Sequence, residues 1–223
     1  MSCENSQISN KKIIVVASPT GRVGSSALMG LFKLAGINLG GKKTGLSGKA
    51  PMAPKGFFEI PGLKQINPKY FKGGMPYPID INDYKNFGKL YTDKFIKLLN
   101  TEFGNNFPIA IKSLRLFIIP MLHEIKQQND IYIIRLRRDL ERQSKSLQKV
   151  FKRSNIIKTL ESCKLHILRW QTFEKKVWNI YQDFVFIDVT FEDLINKPIQ
   201  IMSYINDKIK ITLPPNADIK GCL

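Results

Sequence analysis

The sequence predicts an α/β protein, a three-layer sandwich with a mainly parallel central sheet, on three observations. Two β-branched apolar runs, Ile13 to Ala17 and Ile131 to Leu136, lack polar alternation, as strands buried on both faces do. Each is followed at once by helical periodicity, the arrangement that links parallel strands through helical crossovers. The 223 residues, 43% hydrophobic and without an internal repeat, suit one sizeable core, so a single domain over residues 1–223 is expected.

Taken in order, residues 1–11 are polar and patternless, a leader expected to be disordered. Ile13 to Ala17 forms the first strand, and after the turn Leu28, Leu31, Phe32, Leu34 and Ala35 recur at helical spacing until Gly36. Gly40 to Gly74, rich in Gly, Pro and Lys, has no sustained period and reads as a long loop region. Tyr84 to Phe103 returns to helix, with Phe87, Leu90, Tyr91, Phe95, Leu98 and Leu99 on one side. Ile109 to Ile111 is a short strand ending in Lys112, and Leu116 to Gln127 reads as helix despite Pro120. The strand Ile131 to Leu136 leads into a charged helix from Asp139 to about Arg153, and a further helix spans Ile157 to Tyr181. Phe184 to Val189 is the last strand, and Thr190 with Asp193 fits a capping box for one final helix through Ile195 and Ile201 to Ile205. Parallel sheets bind ligands at the carboxyl ends of their strands, which gathers Ser18 to Ser26, Lys112 to Arg115 and Arg137 to Asp139.

The charge narrows the partners. With 35 Lys+Arg against 18 Asp+Glu, a net +17, the chain attracts polyanions, although many lysines in such a Lys-, Ile- and Asn-rich background simply coat solvated faces. Five arginines, Arg135, Arg137, Arg138, Arg142 and Arg153, fall in one short segment. No stretch approaches the roughly 20 apolar residues of a membrane span, and Met1 to Lys12 lacks the apolar core of a signal peptide, so a cytoplasmic protein is expected. Cys3, Cys163 and Cys222 are too widely spaced for a disulfide framework or a zinc knuckle.

The first turn, Pro19 to Ser26, joins a buried strand to a helix and therefore presents unpaired backbone N–H groups and the positive end of the helix dipole. Gly21 and Gly24 permit close approach, Ser25 and Ser26 add hydroxyls, and Arg22 adds a planar fork suited to phosphate or sulfate oxygens. By itself the turn also fits an ordinary strand-to-helix connection with a serine cap. The lysine of a triphosphate loop, GxxxxGK[ST], is missing, because Gly24 runs into Ser25. The second strand ends in Arg137-Arg138 where a triphosphate enzyme would carry its magnesium-holding aspartate. Ser146 follows Arg138 by eight residues, about 12 Å along a helix, so both reach one phosphate. An exposed basic helix has the same pattern.

In order and over nearly the whole chain, Thr20 to Gly41, Ala53 to Glu59, Ile111 to Leu116, Ile131 to Leu147 and Phe186 to Pro198 resemble the PAPS-dependent sulfotransferase family, particularly its small bacterial members. That family has a P-loop-like fold and uses 3′-phosphoadenosine 5′-phosphosulfate (PAPS) as donor. Arg22-Val23-Gly24-Ser25-Ser26 falls on its 5′-phosphosulfate loop, (K/R)SGT(S/T). Arg138 and Ser146 fall on the pair that grips the 3′-phosphate, and Phe191-Glu192-Asp193-Leu194 falls on a late YEDL turn. Val23, Ser25, Ala53 and Leu140 depart from the family pattern, and Leu114 stands where the cytosolic eukaryotic branch has a catalytic histidine.

The resemblance implies transfer of a sulfuryl group from PAPS to a hydroxyl or amine acceptor without a metal. Arg22 and the loop N–H groups would stabilise the leaving phosphate, and Glu59, from the segment corresponding to a glutamate in related branches, would be the general base. Lys112 and Lys55 would stabilise the sulfuryl oxygens. A glutamate at this position also fits a purely structural role. His123 and His166 lie in predicted helices, where surface or core roles are commoner than catalysis, and Trp170 and Trp178 read as core. The net charge suggests an anionic acceptor such as an acidic glycan. Two alternatives stay open: a P-loop kinase with a degenerate loop, using Asp188 for magnesium, and a basic, non-catalytic nucleic-acid-binding domain.

Overall fold

Residues 11–18, 20–41, 46, 58–66, 81–114, 116–153 and 155–211 are described by a computed structural model. The apolar run around Val15 becomes strand β1 (Lys11–Ser18), whose last six residues are all buried. Its neighbours are β2 (Ile109–Leu114) and β3 (Asn129–Arg137), with β4 (Val185–Thr190) beyond β3, so the sheet order is β2-β1-β3-β4. Every pair is parallel, with Val15 opposite Ile111 and Ile133, and Arg135 opposite Asp188.

Alternation along β1 sends Ile13, Val15 and Ala17 to one face and Ile14 and Val16 to the other. The first face is covered by α3 (Ile81–Phe103), α4 (Ile119–Glu124) and α6 (Leu160–Ile180), with Leu63 and Ile66 of the short α2 (Pro61–Ile66) joining them. The second is covered by α1 (Ser25–Leu34), α7 (Phe191–Asn196) and α8 (Pro198–Ile209). Helix α5 (Leu140–Arg153) lies against α6 through Leu147, Phe151, Cys163 and Ile167. Each apolar side chain so buried contributes about 1.5–3 kcal/mol, and a one-residue slip would exchange the two faces of β1, so packing also fixes the register. The three-layer α/β architecture expected from the sequence is the one observed.

The differences are local and have identifiable causes. Lys11 and Lys12 pair with Asn129 and Asp130, so β1 starts before Ile13 and takes in Lys11, expected in the leader. Residues 1–10 lie outside the described residues. Within the stretch expected to be loop, Pro61 opens a six-residue helix, since proline at a first helical position forfeits no hydrogen bond. Pro120 likewise sits in the first turn of α4, which is shorter than expected and is followed by a 3₁₀ turn, Lys126–Gln128. The single final helix is two: Lys197 leaves helical geometry and Pro198 opens α8, because a proline within a continuous helix loses one ladder bond and clashes with the preceding turn. No described helix is long and apolar enough to cross a membrane.

One buried polar contact fastens the long helix α3 to the turn after β2. Tyr84 is fully buried, its hydroxyl donates to the Leu116 carbonyl at 2.5 Å, and its ring meets Phe173 edge-on at 5.3 Å. Tyr84→Phe keeps the ring and leaves the Leu116 carbonyl with the Ile119 N–H as its donor, so urea unfolding should show a loss of about 0.5–1.5 kcal/mol, that of one hydrogen bond.

Candidate functional site

The carboxyl ends of β1, β2 and β3 meet around the turn between β1 and α1. Ser18 is buried and its Oγ accepts the Gly21 N–H at 3.0 Å, turning the chain back at once. Gly21, Arg22 and Gly24 have φ of 71°, 62° and 88°. For Arg22 this left-handed backbone costs about 1–2 kcal/mol, and Arg138 Nη1 offsets it by donating to the Arg22 carbonyl at 3.1 Å. Gly24, not a serine, caps α1, with no side-chain cap; Ser25 and Ser26 are the first helical residues. The first turn of α1 carries no acidic side chain, so its dipole end keeps its positive potential. A Cβ on Gly24 would lie 2.3 Å from Cδ2 of Phe191, whose ring also stacks under the Arg138 guanidinium at 4.2 Å.

Two charged groups flank this loop. On the β3–α5 side, Arg22 Nε donates to Ser146 Oγ at 3.1 Å, and Arg138 stands behind with its Nε buried and unpartnered among the described residues. Burial pushes the Arg22 guanidinium pKa down, and the positive charges of Arg138 and Arg153 push it further. Arg138 is also lowered, first by burial, with Glu192 acting against this and Arg142 with it. Cations held this way favour an anion between them. On the β2 side, Lys112 is 6% exposed; its Nζ lies 3.2 Å from Glu59 Oε1 and donates to Ser26 Oγ at 3.0 Å.

The structure therefore gathers Arg22, Ser26, Glu59, Lys112, Arg138 and Ser146 at the carboxyl end of the sheet, with Gly24 at the end of the loop and Ser25 opening α1 between them. Val23 is buried in the α1 face core, leaving only its backbone for a ligand. Lys55 lies outside the described residues. His123 stands at the amino end of the strands, its Nε2 3.5 Å from Asp183 just before β4, so it is remote from the loop. His166 is on α6 beside Trp170, and Trp170 and Trp178 are core residues. Asp188, the magnesium ligand of the kinase alternative, is held by both carboxylate oxygens in a fork to Arg135. Among the described residues, no group of three or more His, Cys, Asp or Glu side chains is arranged to hold a metal.

Sequence reasoning missed Gln143. It is 2% exposed, and its Nε2 donates to Thr20 Oγ1 at 2.7 Å and to the Gly21 carbonyl at 2.9 Å, tying α5 to the loop. Its sequence signal was available: Gln143 falls on the same helical stripe as Leu147 and Phe151, a polar residue where an apolar one is expected.

No protein-family profile matches the chain, and no curated protein matches it in sequence. Among solved structures it resembles the sulfotransferase domain from the curacin biosynthetic pathway, with a TM-score of 0.52 and 14% identity over 92% of this chain and 76% of that one. It also resembles the sulfotransferase from Alicyclobacillus acidocaldarius, with a TM-score of 0.53 and 11% identity over 94% of this chain and 84% of that one. At such identities the likeness is one of fold, and the chain has the sulfotransferase fold.

The two loop glycines separate backbone from packing. Gly21 has open space where a Cβ would go, so Gly21→Ala should cost only the left-handed backbone penalty, about 1–2 kcal/mol. Gly24→Ala adds the collision with Phe191, an overpacking cost of about 1–3 kcal/mol more. Chemical denaturation of both variants checks the ranking.

Proposed function

We propose that this protein is a PAPS-dependent sulfotransferase that passes the sulfuryl group to a hydroxyl or amine, with an acidic glycan or another anionic acceptor favoured by its net charge of +17. The observation that carries the reading is Arg138. It follows the strand end where a triphosphate enzyme needs a carboxylate for magnesium, its buried Nε has no partner among the described residues, and its Nη1 is bonded to the carbonyl of Arg22, whose own side chain meets the Ser146 hydroxyl. An anionic monoester fits that arrangement, and a 3′-phosphate is what distinguishes PAPS from ATP.

Bound PAPS supplies a sulfuryl group already activated by a phosphate leaving group. The chain's part is positioning and charge stabilisation. Backbone N–H groups from Gly24 to Ser26, at the positive end of α1, face the 5′ end of the donor, and Arg138 with Ser146 holds the 3′ end. Lys112, steered by Glu59 and Ser26, offers its ammonium to oxygens that gain charge during transfer. Glu59 accepts the proton of the acceptor hydroxyl, and its contact with Lys112 sets base and cation side by side on the β2 flank.

The kinase alternative is weakened by the engagement of Asp188 with Arg135. The nucleic-acid alternative accounts for the charge but not for the loop.

Calorimetric titration tests the donor. The wild type should bind 3′-phosphoadenosine 5′-phosphate (PAP), and Arg138→Ala should weaken it by about 10–100-fold, the worth of one charge-assisted contact. Tight, magnesium-dependent ATP binding, or PAP binding indifferent to Arg138, would sink the reading. For the base, Glu59→Gln should lower kcat by about 10²–10⁴-fold in a sulfuryl-transfer assay while PAP affinity is retained.

A further inference from the structure

The outer face of α5 runs into a turn that exposes apolar side chains. From Arg142 to Leu160 the chain carries six Lys or Arg residues and no Asp or Glu. Gln143, Ser144, Leu147 and Phe151 are the buried stripe of α5, so Lys145, Lys149 and Lys152, spaced i, i+4 and i+7, face solvent together. Lys145 is paired with Glu141 at 3.3 Å, whereas Lys149, Lys152, Arg153 and Lys158 meet no carboxylate among the described residues.

The turn adds an apolar tip to this basic face. Ile156 is 44% exposed and Ile157 is 100% exposed, with Lys152 and Arg153 on one side and Lys158 on the other. Hydrogen bonds hold the backbone around the tip. The Asn155 and Ile156 N–H groups bond the carbonyls of Lys152 and Phe151 at 3.2 and 2.9 Å, Gln148 Nε2 donates to the Lys158 carbonyl at 3.0 Å, and Thr159 caps α6 by accepting the Ser162 N–H at 3.1 Å. Ile157 is thus displayed from an anchored turn while its own side chain buries nothing within the chain.

Basic and apolar groups at one place select the partner. A polyanion in water, such as a nucleic acid or an acidic glycan, meets the lysines and leaves the isoleucines as exposed as before. Phe151 offers a base no platform, being buried under Lys158, whose Nζ is 5.1 Å from its ring. An anionic bilayer takes both parts, since its headgroups draw the ammonium groups and its acyl boundary takes the isoleucines. Lysine suits that boundary, because its four-carbon stem lies along apolar surface while its ammonium stays in water.

We propose that this face docks on an anionic lipid surface, with Lys149, Lys152, Arg153 and Lys158 on the headgroups and Ile156 and Ile157 inserted between them. The inference does not rest on the sulfotransferase reading. Helix α5 also holds the first loop through the buried Gln143, so docking sets the candidate site one helix away from the bilayer.

The test is co-sedimentation of the full chain with vesicles of phosphatidylcholine alone and of equal parts phosphatidylcholine and phosphatidylserine, with thermal melting to establish that each variant is folded. The wild type should bind the mixed vesicles, less as salt is raised, and not the neutral ones. Ile157→Ser and Lys149→Gln/Lys152→Gln should each weaken binding about tenfold. Lys33→Gln/Lys208→Gln removes the same charge from α1 and α8 in the opposite layer, and should leave binding within about twofold of the wild type. In Ile157→Trp, the added indole emission should move to the blue on mixed vesicles and be quenched by brominated acyl chains. The inference fails if the wild type ignores the mixed vesicles, or if Ile157→Ser binds them as the wild type does, which makes the face a general polyanion site. It fails equally if Lys33→Gln/Lys208→Gln loses as much as the α5 pair, which makes net charge the cause. A wild-type dimer that Ile157→Ser turns into a monomer without lipid also overturns it, because a second copy then covers the isoleucines.

Discussion

The grip of the β3–α5 unit on the backbone of the first loop is the constraint from which the site follows. Arg138 holds the Arg22 carbonyl and Gln143 holds the Gly21 carbonyl, while Ser18 takes the Gly21 N–H from below. With two successive carbonyls bonded to Gln143 and Arg138, the chain enters α1 directly after Gly24. The left-handed backbone of Gly21 and Arg22 is thus over-determined by contacts, the condition under which a strained backbone persists. Phe191 closes the arrangement, filling the space a side chain on Gly24 would take and supporting the Arg138 guanidinium from beneath.

The electrostatics divide along the loop. On the β2 side, Lys112 is matched by Glu59, so this buried charge is satisfied within the chain. On the β3 side, Arg22 and Arg138 are only partly matched, and burial lowers the pKa of both. A balanced pair beside an unbalanced cluster is an asymmetry suited to a ligand whose fixed charge is at one end and whose reacting group is at the other. Three more arginines of the segment meet carboxylates: Arg135 meets Asp188, Arg142 lies 4.0 Å from Glu192, and Arg137 meets Glu174, which also accepts from the Trp178 indole.

Much of this was legible in the sequence, for physical reasons. Strands buried on both faces leave continuous apolar runs, so β1 and β3 were plain, and the alternation with helices gave the layers. The breaks were harder. Pro61, Pro120 and Pro198 each sit in the first turn of a helix, whereas a sequence pattern alone does not separate a starting proline from a breaking one. Arg138 and Ser146 were legible because one strand and its following helix fix their spacing. The contact of Arg22 with Ser146, and of Glu59 with Lys112, spans distant parts of the chain and has no local signature. Gln143 was hidden by its surroundings, a lone amide among the charges of α5, visible only once Leu147 and Phe151 show which stripe is buried.

The hydrogen bonds that shape the loop also set when it can form. Thr20, Gly21 and Arg22 are held by residues 116 to 124 positions later, so closing them requires strands and helices from the second half of the chain. During synthesis the N-terminal half can collapse around β1 and α1, but its turn has nothing to hold the Gly21 and Arg22 carbonyls until α5 emerges and docks. The loop's final shape is therefore a late event in folding, and an isolated N-terminal fragment carries the loop's residues without that shape.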